Sequence, residues 1–458
     1  MTNASAETVI IDEIKVPMRT KLGFGIGDMG NALILNLKSI YMLYFWTDVF
    51  GISAAVAGTI FLLARMWDGI NDPMMGYIAD HTQSRWGRYR PYIFFGALPL
   101  AIFAVLTFTV PEMSHTGKIA WAAATYTILG MIATVVGVPY TALIPNITQD
   151  AKQRTSVTMF KQVFYYVGVV IVAVSTKPLV ALFSDEKTGF QAVVIIFSII
   201  AVIALWTTFF SYKEKSGALL ESSKYKLREV YKIFLYNRPL QIAFAAFFAV
   251  TFSGAMQMSA AIYYCKYNLQ SEKYIPMLLG VTLFSILLGS TFSPLVGRRL
   301  GKRRAYLFGV GVFAVFYTIM FFVPYSQIPL LLACASLASL GTGIANVVAI
   351  SMLADTVEYN EWKTGIRPEG VIFSSATLVT KLGGAISAAI SGFLLTFVGY
   401  VPNVDQTATA LTGILVLVTL IPVGTKVVAM VLMYFYPLDE ATYASILEDL
   451  KNGKRSQT

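Results

Sequence analysis

Two aspartates four residues apart, Asp68 and Asp72, share an otherwise apolar stretch of about residues 53–79 with Arg65. Residues three or four apart lie on one face of a helix, so the three form a polar stripe among Leu62, Leu63, Ala64, Met66 and Ile70. The stretch is long enough to cross a bilayer. An acidic side chain at that depth costs roughly 2.5 to 3.5 kcal/mol on insertion scales, so two on one face require positive charge. Arg65 can neutralise one of them as a structural ion pair. The other calls for a cation that binds and leaves, a small metal ion or a proton. Pro73, beside Asn71, removes a backbone donor and favours a kink, which frees a carbonyl oxygen next to the acids.

Other polar groups lie at similar depth. Lys381 is about a dozen residues into its own apolar run, near mid-membrane at about 1.5 Å per residue. There it meets a carboxylate or cavity water, or else snorkels to an interface. Lys38 lies about eight residues from the end of the first run and is read either as part of a ligand pathway or as an anchor. Thr134 offers a hydroxyl to the same region, or to its own helix, and Gly137 and Pro139 after it are expected to interrupt the helix. Tyr140, Tyr41 and Tyr44 either stack on a ring or pack.

The elements that position these groups follow from composition. Of 458 residues 56% are hydrophobic and 13% charged, which excludes a soluble protein and describes an all-α polytopic membrane protein. Apolar runs of about 20 residues recur about 12 times, and an even number places both termini on one side. The net charge of +10 gathers in alternate loops: Arg85, Arg88 and Arg90; Lys152 and Arg154; six basic residues between Lys213 and Lys232; and Arg298 to Arg304. That alternation puts those loops and both termini in the cytoplasm, and it makes the charge an orientation signal with no nucleic-acid partner. Cys265 and Cys334 have no metal or redox spacing, and no cleavable signal peptide is expected at the start.

The organisation expected is a cytoplasmic segment (1–20), a six-helix bundle (21–212), a cytoplasmic linker (213–238), a second six-helix bundle (239–436) and a cytoplasmic tail (437–458). A weak repeat supports it: the glycine- and arginine-rich loop from Gly76 to Arg90 is answered by Gly297 to Arg304 after the second run of the other half. Parallel repeats of two six-helix bundles, with a ligand site between them at mid-membrane, build the major facilitator fold. In the first loop Asp80 is placed to pair with Arg85 or Arg88 as a latch on one conformation. Asp355, Glu358, Glu361 and Arg367 fall in a polar loop between the tenth and eleventh runs. That loop is either simply solvated or an inner gate.

Five segments, KLGFGIGD from Lys21, YFWTDVFG from Tyr44, RMWDGINDPMMG from Arg65, SRWGRYRP from Ser84 and ADTVEYNEW from Ala354, together resemble the glycoside-pentoside-hexuronide:cation symporters, the melibiose permease family. The resemblance spans nearly the whole chain. It implies import of a sugar coupled to Na+ or H+, with no cofactor and no catalysis. It carries the cation ligands onto Asp68, Asp72 and Thr134, charge coupling onto Lys381, and a neighbouring threonine onto Thr377. Arg65 joins the coupling charges by its place on the stripe. The family's acidic and arginine sugar contacts align with Ala32, Gly137 and Gln162, so galactoside recognition by that set is not expected. Gln162, Asn31, Lys38, Tyr140, Asn346 and Thr377 are the substrate candidates here, and Lys38 with Lys161 would favour a uronide carboxylate. A same-fold carrier of lysolipids or other amphiphiles and a non-transporting sugar sensor are the alternatives. An enzyme would need chemistry that His81 and His115, both in or next to loops, do not supply.

Overall fold

The computed structural model describes residues 16–452 except 149, 214–236, 366 and 368. Most of the N-terminal segment, nearly all of the linker and the last residues of the tail lie outside them. The first half holds α1 (Met18–Tyr44), α2 (Ala54–His81), α3 (Arg90–Thr107), α4 (His115–Ile147), α5 (Ala151–Val180) and α6 (Glu186–Ser211). The second holds α7 (Arg238–Tyr263), α8 (Tyr274–Leu300), α9 (Lys302–Phe322), α10 (Ile328–Thr364), α11 (Glu369–Phe397), and a last crossing made of α12 (Ala408–Val418) and α13 (Leu420–Tyr434). A surface helix, α14 (Glu440–Lys451), follows. Helix starts carry the expected chemistry. Ser53, Ser114, Asp150, Asp185, Asn237 and Thr407 each accept from a backbone N–H in the first turn, and Pro91, Pro239 and Pro329 sit just inside α3, α7 and α10.

Among the described residues, 10 crossing segments are long and apolar enough to span a membrane. The other two, α1 and α2, are 27 and 28 residues long and pack among them. They are also the helices that carry Lys38 and the acidic stripe. What lowers their hydropathy is the polar equipment of the site.

The weak sequence repeat is explicit in the packing. In the first half α1 packs on α5 and α6, α2 on α4, and α3 on α4 and α6; in the second, α7 packs on α11 and α13, α8 on α10, and α9 on α10 and α13. Close approach rests on glycine where backbones touch: a Cβ on Gly341 would lie 2.3 Å from the Gly309 carbonyl oxygen. The halves meet through α2 on α11, α5 on α8 and α1 on α7.

One expectation about helix regularity is corrected: α4 runs unbroken through Gly137 and Pro139, and α2 likewise continues as one helix past Pro73. Tertiary packing in a bundle tolerates a lost helix hydrogen bond without ending the helix. The segment read as a loop after the tenth span is likewise helical: α10 continues to Thr364, and Gly365 ends it in a left-handed conformation (φ 74°), its N–H bonded to the Glu361 carbonyl. A helix that emerges from the membrane changes from apolar to charged residues, and composition alone reads that change as a loop.

Candidate functional site

The stripe on α2 meets its partners where α2 faces α4 and α11. Arg65 donates to Asp68 at 2.8 Å, the expected ion pair with one of the two acids. Asp72 accepts from the Thr134 hydroxyl of α4 at 2.7 Å and from the Lys381 ammonium of α11. Thr134 therefore reaches across to the acid, and Lys381 has a carboxylate at depth. The Asp72–Lys381 pair also joins the two halves of the molecule. Lys38 is 6% exposed and sits over the Tyr126 ring, 4.5 Å from its centre. It feels the charges of Arg65, Asp68 and Lys381. Asn71, buried on α2 between the acids in sequence, leaves its amide nitrogen without a partner. Chemically this is a pair of carboxylates with a neighbouring hydroxyl, an oxygen set of the kind a small cation could share with Arg65 and Lys381.

The other substrate candidates are less gathered. Asn31 is buried, and its side-chain oxygen has no partner. Gln162 is exposed and Asn346 half-buried. Thr377 is exposed and donates to its own helix at the Phe373 carbonyl, 3.3 Å away. Tyr140 stacks on Phe24 at 4.5 Å and donates to the Phe24 carbonyl, so it is a packing residue inside the first half. Lys161 faces Asp28 at 3.9 Å.

On the face of the basic loops, the expected latch takes a different form. Asp80 accepts from the Tyr89 hydroxyl at 2.6 Å, Arg88 also meets Tyr89, and Arg85 lies over the Trp86 ring. The short turn directs Tyr89 toward the carboxylate before either arginine. Asp355 pairs with Lys302 at 2.6 Å, and Arg367 with Glu358 at 2.9 Å and Glu361 at 2.7 Å. The two glutamates hold Arg367 above the ordinary guanidinium range. The Asp355 and Arg367 pairs named here lie within the second half, where they brace the C-terminal end of α10.

The opposite face, called distal below, holds a cluster that sequence reasoning missed. α1 and α7, which are repeat equivalents, both end in a π-helical turn, Phe45–Phe50 and Tyr264–Asn268. Such turns concentrate at functional positions. Between them the fully buried Asp48 carboxylate accepts from Lys266 at 3.0 Å, Tyr400 at 2.6 Å and Tyr267. Asn403 donates to the Asp48 carbonyl at 2.7 Å. Beside it Lys177 pairs with Glu272 at 2.8 Å and with Glu186, and Tyr44 donates to Glu186 at 2.8 Å. These bonds close the distal ends of the two halves on each other. The only sequence signal was a charge near the end of each of two equivalent spans, within the YFWTDVFG segment and in Lys266.

The description "MFS/sugar transport protein" belongs to a family model that matches residues 23–440. The uncharacterized symporter YnaJ of Bacillus subtilis (strain 168) is 35% identical over 96% of this chain and 96% of its own. The isoprimeverose transporter of Lactiplantibacillus pentosus is 31% identical over 95% of this chain and 92% of its own. In fold, the chain is similar to the nucleoside transporter NupG, with a TM-score of 0.63 at 12% identity over 92% of this chain and 100% of that one. By name, each of these is a symporter or a transporter.

Proposed function

The chain belongs to the MFS/sugar transport family, in the glycoside-pentoside-hexuronide symporter branch of the major facilitator superfamily, and from that premise we propose that it imports a sugar together with Na+ or H+ by alternating access. It is a multi-pass membrane transporter and not an enzyme. The observation that carries the coupling is the placement of Asp72, which holds Thr134 of its own half and Lys381 of the other. In the proposed cycle the cation takes Asp68, Asp72 and the Thr134 oxygen. Lys381 and Arg65 are released, the tie between α2 and α11 loosens, and the freed donors turn to sugar hydroxyls. A glycoside, pentoside or hexuronide then occupies the space between the halves near Asn31, Lys38 and Asn346. By linkage, sugar raises cation affinity by the factor that cation raises sugar affinity.

The basic loops support a position in the cell membrane with both termini cytoplasmic. On that orientation the closed distal face is the outer one. The test is uptake of labelled xylosides, galactosides, glucosides and glucuronides into proteoliposomes, with and without a sodium or proton gradient, for the wild type and Asp68→Asn. Accumulation driven by one gradient and lost in the variant supports the reading. Sugar equilibration that ignores both gradients contradicts coupling.

A further inference from the structure

The outer surface of the first half carries a groove that the transport cycle does not use. It lies between α1 and α6, encloses about 700 Å³, and is walled by Leu22, Ile26, Ile203, Trp206 and Phe210, with Arg19 at its mouth on the side of the basic loops. The two helices approach closely there because Gly23 has no side chain: a Cβ would lie 2.3 Å from Ser211. The floor is therefore backbone and the walls are large apolar side chains. Trp206 is fixed in advance, stacked on Phe94 with ring centres 5.3 Å apart and donating its indole N–H to the Phe94 carbonyl at 3.1 Å. Past Ile203 and Trp206 a second groove of about 500 Å³ continues between α3 and α6, and none of the residues lining it is charged. Together the grooves follow α6 from Ser211 to Ile195, about 24 Å at 1.5 Å per residue. Arg19 is exposed at the head of this path, and among the described residues no carboxylate pairs with it. Lys213, just beyond α6, is exposed on the same face. Val16, where the chain enters α1, is engaged on the α5 side instead, its N–H donating to Gln153 at 3.3 Å.

We propose that this groove is a binding site for an anionic phospholipid of the leaflet on the basic-loop side, with the lipid phosphate on Arg19 and an acyl chain laid along α6. A guanidinium offers phosphate two parallel N–H donors, and its charge is always present. A head group of net negative charge is preferred over a zwitterionic one, whose ammonium is repelled by Arg19 and Lys213. A long apolar cleft with a preformed aromatic wall holds the chain at little ordering cost. The bound lipid ties the start of α1, the helix that carries Lys38 and Asp48, to the end of α6, and so steadies the first half of the molecule.

The test is lipid retention by the purified full-length protein in detergent, supplied with phosphatidylglycerol, phosphatidylcholine and phosphatidylethanolamine of matched chains and read by native mass spectrometry. One basic residue near the membrane surface predicts a preference of about fivefold for phosphatidylglycerol in the wild type. Arg19→Gln is expected to level that ratio and Arg19→Lys to keep most of it. Thr207→Trp, which fills the groove, is expected to lower retention of all three lipids. Arg298→Gln, at an exposed arginine away from the groove, should leave the ratio unchanged. Because each readout is a ratio within one protein, a lower amount of folded variant does not alter it. Equal retention of the three lipids by the wild type, or a preference that survives Arg19→Gln, overturns the assignment. A ratio that falls as far in Arg298→Gln as in Arg19→Gln also overturns it, since diffuse surface charge then accounts for the preference. Lipid retention that rises when residues 2–12 are deleted assigns the groove to the chain's own first residues and overturns it too. None of these outcomes bears on sugar uptake, so the symport reading stands or falls separately.

Discussion

At mid-membrane one ion pair, Asp72 to Lys381, ties α2 to α11, while at the distal ends Asp48 alone gathers Lys266, Tyr267, Tyr400 and Asn403 from the other half. The two crossings differ in chemistry as well as number. The distal acid has every acceptor site engaged by donors that stay with the protein, and its side chain has no exposed surface. The mid-membrane pair is less buried, with Asp72 at 23% and Lys381 at 28% side-chain exposure. A fully satisfied buried network fixes one arrangement, whereas an accessible pair whose partner can be exchanged responds to a ligand. In the proposed cycle the distal cluster serves as a lock on one conformation and the mid-membrane pair as the part a ligand changes.

The difference is broken most completely at Asp72. Asp72→Asn removes the carboxylate shared by Thr134 and Lys381, and gradient-driven accumulation should fall to background in vesicle uptake, with any residual sugar exchange no longer responding to the coupling cation. Gly392→Val comes next. A Cβ there lies 2.3 Å from the Ala54 carbonyl oxygen across the α2–α11 contact, so the distal halves of these helices cannot close together. Uptake should drop at least about tenfold, as a shift of the conformational equilibrium by more than about 1.4 kcal/mol requires. A cysteine placed on the distal side should label faster. Asp48→Asn should move labelling in the same direction, because it leaves Lys266 without its carboxylate, but cation dependence of whatever uptake remains should be kept. If Asp48→Asn instead abolished cation dependence, the division between lock and switch would fail. The smallest effect belongs to neither region. Asn237→Ala removes the cap of α7, where Asn237 accepts from the Leu240 N–H at 3.0 Å, and should cost about 1 kcal/mol in a thermal melt with uptake per folded molecule unchanged.

The mid-membrane cluster is largely legible in the sequence because bilayer physics makes each ionisable residue conspicuous. Asp68, Asp72 and Lys381 stand out against apolar neighbours, and the need for a partner points from one to another. The distal lock was hidden for the same reason in reverse. Asp48, Lys266 and Tyr400 lie near helix ends, where charged and aromatic residues are ordinary, and their meeting joins positions up to 352 residues apart. A π-helical turn leaves no mark in an apolar run. The extension of α10 past Asp355 is not legible as helix in the sequence because a solvated helix and a polar loop share a composition. Tyr140 was a candidate for ring stacking, and it does stack, but on Phe24 inside the bundle. Side-chain type gave the chemistry there, and only packing decides which ring it meets.

The most direct test concerns the exchange at Asp72. Binding of a transported sugar, measured by calorimetry across a series of Na+ concentrations and pH values in the wild type and in Asp72→Asn, separates a coupled site from an indifferent one. If the cation replaces Lys381 on Asp72, wild-type sugar affinity rises with one of the two ions and the variant shows a flat response. Wild-type affinity that stays constant across both series contradicts that exchange.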